Sequence, residues 1–177
     1  ERIERLITDY SQMLKDEAAI TSEQMNKVNL KLIARSVVDD FNSIYNSKRG
    51  ISINLKTNGS EEFIVLGIEN RIEQIIANLL ENSISFSNDN QEIKVELNKN
   101  GQGQIYLNVI DQGEGFKEKD TTKIFNRFYS NRPGKFGEHS GLGLNIVKNL
   151  VDLHNAQIFA KNNKGKGANI EIIFPSA

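Results

Sequence analysis

The chain contains no cysteine, which removes disulfides, thiolate metal sites and cysteine nucleophiles at once. That absence permits a reducing cytoplasm without requiring one. No apolar run approaches the ~18 residues of a membrane span, and no signal-peptide pattern opens the chain. Net charge is almost absent, −1 in 177 residues, so nothing favours nucleic acid or a membrane surface as the main partner. There is no GxxxxGK followed by Ser or Thr and no GxGxxG after the first strand, which excludes a Walker P-loop and a Rossmann dinucleotide site. Internal repeats and low-complexity tracts are missing too. With 38% hydrophobic and 25% charged residues, what remains is a globular composition on a chain suited to one domain and an appendage. The chain opens in mid-helix pattern without an initiator Met, as a piece of something longer would.

What is present centres on residues 104–116, QIYLNVIDQGEGF. Ile105, Leu107 and Val109 alternate with Tyr106, Asn108 and Ile110, the period-two pattern of a strand with a buried face. The strand ends on a carboxylate, Asp111, followed by Gly113 and Gly115 around Glu114. Glycines there allow positive φ and close approach of a ligand to the backbone. A carboxylate held at such a strand end suits an amine donor such as a nucleobase, although the same letters also spell a plain loop.

Around this stretch the pattern predicts, in order, an amphipathic helix over residues 1–15 with Ile3, Leu6, Ile7, Tyr10, Met13 and Leu14 on one stripe. Its narrow seam suits a helical bundle or dimer, the alternative being a helix packed on its own domain. A polar linker follows, to about residue 28. Residues 29–48 read as a second helix, ended by Arg49-Gly50. Residues 51–56 and 63–66 read as a hairpin. Residues 69–86 form the best helix, burying Ile72, Ile75, Ile76, Leu79, Leu80 and Ile84. A separate stripe on it carries Asn78, Asn82 and Ser85, which reads either as a solvated face or as a site. Strands at 91–97 and 104–110, a short helix at 121–128, and an irregular loop at 130–140 come next. A loop of that length is usually functional or disordered. A helix entered through Gly141 and Gly143 and a final strand pair at 158–161 and 169–174 close the chain.

Each part has a role if the ligand is a nucleoside triphosphate with magnesium. The Asn82 amide oxygen is a hard, neutral ligand, and Mg²⁺ keeps waters and phosphate oxygens in its other positions. Gly141 and Gly143 at a helix start leave backbone N–H groups for phosphates, aided by the helix dipole. Arg127 and Arg132 are placed to neutralise γ-phosphate charge, under a loop acting as a lid.

NLLENSISFS (78–87), DQGEGF (111–116), IFNRFY (124–129), SGLGL (140–144) and GKGANIEIIFP (165–175) resemble, in order and spacing, the successive boxes of sensor histidine kinase ATP-binding domains. The resemblance runs from about residue 29 to the C-terminus. RIERLITDYSQ and FYSNRPGKFGEHSGLGL are similar to the ChvG/ExoS type of alphaproteobacterial receptor kinases. The resemblance implies a two-layer α/β sandwich of the Bergerat type, a mixed and mostly antiparallel sheet with helices on one face, preceded by an N-terminal helix. Residues 1–20 would be the end of a dimerisation and phosphotransfer bundle helix, 21–28 a linker and 29–177 the catalytic domain. By position Asp111 matches the residue receiving the adenine amino group and Asn82 the magnesium ligand. Asn78 faces the phosphates and, with Arg127, is expected to be catalytic. Gly113 and Gly115 match the first glycine box and Phe125 and Phe128 the Phe box. Ser140, Gly141, Leu142 and Gly143 match the box closing over the triphosphate, with Arg132 nearby. Gly165 and Gly167 match a last, weaker pair that reads equally as a bare hairpin turn. Implied cofactors are ATP and Mg²⁺. Implied partners are the chain's own upstream bundle helix, a second protomer and a response-regulator receiver domain, with neither nucleic acid nor membrane contacted, on the cytoplasmic side of a membrane receptor.

Two departures stand out. Ser85 and Ser130 replace basic residues common in the family, leaving charge compensation to Arg127, Arg132, Lys135 or Lys148. Where gyrase- and MutL-type ATPases carry a hydrolytic Glu, this chain has Asn78, which favours transfer to a protein side chain over hydrolysis; Glu81 lies off the Asn stripe. Neither His139 nor His154 stands in the family's phosphoacceptor context, so the acceptor is expected upstream of residue 1. The competing expectations are a nucleotide-sensing or interaction module with little kinase activity, and a Ser/Thr kinase of the same fold.

Overall fold

The computed structural model describes residues 24–58, 62–117, 119–126 and 143–177. The expected helix over residues 1–20, the loop at 130–140 and the expected site residues Arg127, Phe128, Arg132, Ser140, Gly141 and Leu142 lie outside them.

Five strands form one sheet in the order β2-β4-β5-β7-β6, comprising β2 (Ser52–Thr57), β4 (Glu92–Lys99), β5 (Ile105–Ile110), β6 (Gln157–Asn162) and β7 (Ala168–Phe174). Among the described residues, only β2 and β4 of this sheet pair in parallel, and its other three pairings are antiparallel. The series Ile93, Val95, Leu97 and Ile105, Leu107, Val109 faces inward, continued by Ile170, Ile172 and Phe174, all buried. Three helices cover that face: α1 (Leu30–Arg49), α2 (Glu69–Phe86) and α3 (Gly143–Leu153). The alternate residues Lys94, Glu96, Tyr106 and Glu171 are only half-buried. One apolar and one polar face is the division that strict alternation in the sequence anticipates. The mixed, mostly antiparallel sheet under helices on one face agrees with the expected fold.

Two expectations fail. The residues read as a hairpin belong to different sheets. β2 pairs with β4, whereas β3 (Ile64–Gly67) pairs antiparallel with β1 (Asn26–Asn29) in a two-stranded ribbon. β1 itself occupies the end of the stretch read as linker. Its four residues, NKVN, carry a single apolar side chain, too short a pattern to show a period. What holds it is its position between β3 and the start of α1, where the Leu30 amide donates to the Phe63 carbonyl at 2.8 Å.

The helices end where local chemistry stops them. Asn29 caps α1, its side chain accepting from Lys31 and Leu32 amides, and Gly50 ends it in the left-handed region at φ 66°. Arg49 then reaches the far end of α2. Its guanidinium donates to the Ile84 carbonyl at 2.9 Å and the Ser87 carbonyl at 2.7 Å, satisfying carbonyls at the end of that helix. The adjoining pair with Asp89 is largely exposed and contributes little.

α3 is tied to α2 by His154, which is buried. Nε2 accepts from the Ile68 amide, the N-cap of α2, at 3.1 Å, and Nδ1 meets the Leu150 carbonyl at 2.7 Å. Both contacts together require the neutral ring with its proton on Nδ1. Gly67 makes room, because a Cβ there would lie 2.9 Å from the imidazole Cδ2 and 2.6 Å from Ile72 Cδ1. The His154 pKa is lowered from 6.5, chiefly by burial, with the Leu150 carbonyl acting in the other direction.

This gives stability a definite pH dependence. Unfolded histidine titrates near 6.5, whereas the folded ring resists protonation. Stability is therefore full above pH ~6.5 and falls as pH drops towards the folded value, by at most about 1.4 kcal/mol per pH unit. Urea unfolding at pH 7.5 and 5.5 should show that loss in the wild-type chain and a reduced loss in His154→Gln. In the same assay at pH 7.5, Arg49→Ala should cost about 2 kcal/mol, as charged hydrogen bonds to carbonyls do.

Candidate functional site

The site is built where β5 leaves the sheet. Asp111 continues the inward series of Ile105, Leu107 and Val109 by one more alternation, so its side chain turns towards the helices. It is 2% exposed. Its Oδ1 accepts from the Gly113 amide at 2.9 Å and the Ala168 amide at 3.2 Å, while its own amide donates to the Ala168 carbonyl at 2.9 Å. The carboxylate is thus tied into its own loop and to the first residue of β7.

Each neighbouring glycine has a separate geometric reason. At Gly113 a Cβ would lie 2.5 Å from the Phe86 carbonyl oxygen at the end of α2. Gly167, at φ 105°, would put a Cβ 2.0 Å from the Asp111 carbonyl oxygen. Gly115 has φ 82° and lies against Asn162. Gly165, at φ 93°, faces open space. The last glycine pair therefore divides: Gly165 is the hairpin turn, and Gly167 is part of the seat of Asp111.

The contact at Phe86 sets the direction of the site. Asn82 and Asn78 lie one and two turns back along α2, on the stripe that Phe86 extends. Both are half-buried. The Asn82 Nδ2 is buried without a hydrogen-bond partner among the described residues, the condition of an amide whose partner is a ligand. Glu81, by contrast, is exposed. Because His154 holds the end of α3 at the start of α2, and α3 packs along α2, the two helices run antiparallel. At 1.5 Å per residue, eleven residues of α3 return the chain about 16 Å, which brings the start of α3 beside the Asn78–Asn82 segment. Gly143 is the first residue of α3, exposed, with nothing near an added Cβ.

Other expected residues are placed differently. Phe125 closes a 3-10 turn (Thr121–Phe125) rather than sitting in a longer helix, and it is buried in the core. Its carbonyl accepts from Asn145 Nδ2 at 3.0 Å, fastening that turn to α3. Lys148, a candidate for phosphate charge, is paired with Asp152 one turn along at 2.5 Å. The Ser85 hydroxyl donates to the Asn82 carbonyl at 2.8 Å. The residues that sequence reasoning passed over are the anchors of the Asp111 loop. Gln112 Oε1 accepts from the Glu92 amide at 2.8 Å, Gln91 Nε2 donates to the Gln112 carbonyl at 3.3 Å, and Asn162 binds Phe116. Polar residues at strand ends carry no periodic signal, so nothing in the pattern distinguished them. A polar recess of about 250 Å³ opens between this loop and the β6–β7 turn, lined by Asp111, Gln112, Glu92, Lys94, Lys164 and Lys166 among others.

The profile of the histidine kinase-, DNA gyrase B- and HSP90-like ATPases matches residues 67–177. The sensor protein ChvG of Rhizobium meliloti (strain 1021) is 35% identical over 176 residues, covering 96% of this chain and 30% of the relative. The chain thus spans about a third of the length of the curated relatives it matches. Among solved structures, full-length ShkA in complex with AMPPNP superposes with a TM-score of 0.79 at 23% identity, over 97% of this chain and 35% of that one. The histidine kinase ThkA in complex with the response regulator TrrA gives 0.75 at 22%, over 97% and 48%.

The two turn glycines supply a test. Gly167→Ala combines positive φ with a backbone overlap and should lose about 3 kcal/mol or more, whereas Gly165→Ala meets only the φ penalty, about 1 kcal/mol. Urea unfolding of both variants checks the order.

Proposed function

The chain belongs to the histidine kinase-, DNA gyrase B- and HSP90-like ATPase family, and on that footing we propose that it is the ATP-binding catalytic domain of a sensor histidine kinase. The observation that carries the reading is Asp111, a carboxylate fixed by the Gly113 and Ala168 amides at the mouth of a turn that touches α2. It would receive the adenine amino group. The phosphates would then run along the Asn78–Asn82 stripe towards the positive end of α3 at Gly143. The orphaned Asn82 amide fits a magnesium-bearing triphosphate. The side chain's oxygen and nitrogen positions are interchangeable by rotation, so Asn82 can offer its oxygen to the metal. Magnesium, when bound, neutralises charge on the transferring phosphates.

In this reading Asn78 and Arg127 act at the γ-phosphate, Asn78 as an amide donor rather than a base. A neutral amide there leaves water unactivated and suits transfer to a histidine. His154 is not that acceptor, since it is buried with both ring nitrogens engaged. The acceptor would sit in a bundle helix of the longer protein, working as a homodimer, and would pass the phosphoryl group to an aspartate of a response regulator. ThkA, a structural neighbour, is seen with such a regulator. No helix of the described residues is long and apolar enough to cross a membrane, and the proposed place of action is the cytoplasmic side. A nucleotide-sensing module with little kinase activity is the second reading. It is favoured by Ser85, whose hydroxyl stands where a basic side chain would face a phosphate and donates to the Asn82 carbonyl instead.

Calorimetric titration with ADP and ATP, with and without Mg²⁺, tests the reading. Saturable binding should fall at least tenfold in Asp111→Asn, and the Mg²⁺ dependence should vanish in Asn82→Ala. Adding a histidine-bearing bundle segment should then yield an acid-labile phosphoprotein; binding without transfer would select the sensing module. In a companion variant, Gly143→Ala should raise fold stability by up to about 1 kcal/mol, as alanine does in a helix, while weakening ATP if phosphates approach that backbone.

A further inference from the structure

Asn162 ends the edge strand β6, a position where a polar side chain ordinarily faces water. Here both ends of its amide are used on one residue. Oδ1 accepts from the Phe116 amide at 2.6 Å, and Nδ2 donates to the Phe116 carbonyl at 2.9 Å. A planar group holding the N–H and C=O of a single residue fixes that residue in position and orientation, much as one rung of a strand ladder would. The preceding residue must be glycine for this to close, since a Cβ on Gly115 would lie 2.5 Å from Asn162 Oδ1. Two further contacts lie on either side: Asn163 Nδ2 reaches the Asp111 carbonyl at 3.5 Å at the start of the loop, and beyond the loop the Ala160 carbonyl accepts from Thr121 Oγ1 at 2.7 Å. Asp111 and Phe116 are thereby held to the β6–β7 hairpin by side chains.

We propose that Asn162 is a positioning residue for nucleotide binding, acting through Phe116 and Gly115 on the loop that presents Asp111. It makes no contact with the nucleotide itself. The inference rests on the reading of Asp111 as the acceptor for the base. Asp111 is pinned at its own end by Ala168 and Gly113. Beyond Gln112, which is tied to Gln91 and Glu92, the backbone of Phe116 is the next point at which a side chain fastens the loop to the sheet. Phe116 keeps its side chain in the core, so losing the Asn162 clamp does not detach it but loosens the backbone of residues 114–116 beside the base-binding carboxylate. Asparagine is specifically suited. Aspartate would set a second acceptor against the Phe116 carbonyl, and glutamine would push the loop out by one methylene.

The test is ADP titration of the full chain carrying Asn162→Ala, the isosteric Asn162→Asp, or Thr121→Val, each beside a urea unfolding curve and amide exchange over residues 112–117. Both Asn162 variants should bind ADP about tenfold more weakly, the equivalent of one net hydrogen bond, with faster exchange confined to that loop. Thr121→Val, which breaks a bond to the same strand outside the Asp111 loop, should lose stability but not affinity. In a Gly115→Ala background, where the new Cβ already collides with the Asn162 oxygen, Asn162→Ala should cost clearly less affinity than in the wild-type chain. Folded Asn162 variants that bind ADP within twofold of wild type overturn the inference while leaving the Asp111 reading intact. A Thr121→Val loss of affinity equal to theirs also overturns it, because the effect would then be general to β6. A wild-type chain that binds no ADP removes the Asp111 reading and this inference together.

Discussion

The bonds that join Asp111 to Ala168 are the constraint on which the rest of the structure turns. They connect the end of β5 to the start of β7 by a backbone bond and by a carboxylate, so the last rung of the sheet and the proposed ligand-binding group are the same residue. Everything near it is arranged to permit close approach. Gly167 lets the β6–β7 turn lie against the Asp111 carbonyl, and Gly113 lets the loop touch the last turn of α2. A buried carboxylate is costly unless its oxygens are hydrogen-bonded. The sheet supplies that bonding, which is why a charged side chain is tolerated at the end of an otherwise apolar series.

The opposite end of the helical layer is governed by His154. By binding the Ile68 amide it takes up a donor at the start of α2 that has no side-chain cap, and it fixes where α3 ends. Helix length then decides where α3 begins. The placement of Gly143 near Asn78 and Asn82 is therefore a consequence of a contact about 16 Å away. The two ends are unequal in chemistry. One is held by backbone donors to a carboxylate and the other by a titratable ring whose neutral form is required, so acid loosens the α2–α3 pairing.

Much of this was legible in the sequence. Residues 69–86 read as a helix from their apolar spacing, and the β4–β5 and β6–β7 pairs from alternation around turns. Asp111 stood out because a carboxylate ends the strand just before two glycines, and Asn78 and Asn82 because asparagine is a mediocre helix former repeated on one stripe. Where the reading failed, the determinant was distant. β3 pairs with β1, while its sequence neighbour β2 pairs in parallel with β4 and meets Asn42 of α1 at its Ile53 backbone, and no local pattern announces a parallel partner. His154 looked like a helix end; its role depends on the absent side chain of Gly67, 87 positions earlier in the chain.

An asparagine amide acts at each edge of the sheet, at β2 on the strand's own backbone and at β6 on that of the adjoining loop. At β2, Asn42 of α1 accepts from the Ile53 amide at 2.9 Å and donates to its carbonyl at 2.7 Å, as Asn162 does for Phe116 at the β6 side. An open edge strand invites pairing with another chain, and a side-chain amide satisfies both backbone groups without adding a strand. The two edges differ in what is clamped. Asn42 brings a rigid helix onto a strand, so its effect ends with the fold. Asn162 brings a glycine-rich loop onto a strand, and a loop has other places to go. The same amide geometry is thus a piece of architecture at one edge and a setting for the site at the other, and the difference lies in the stiffness of the partner.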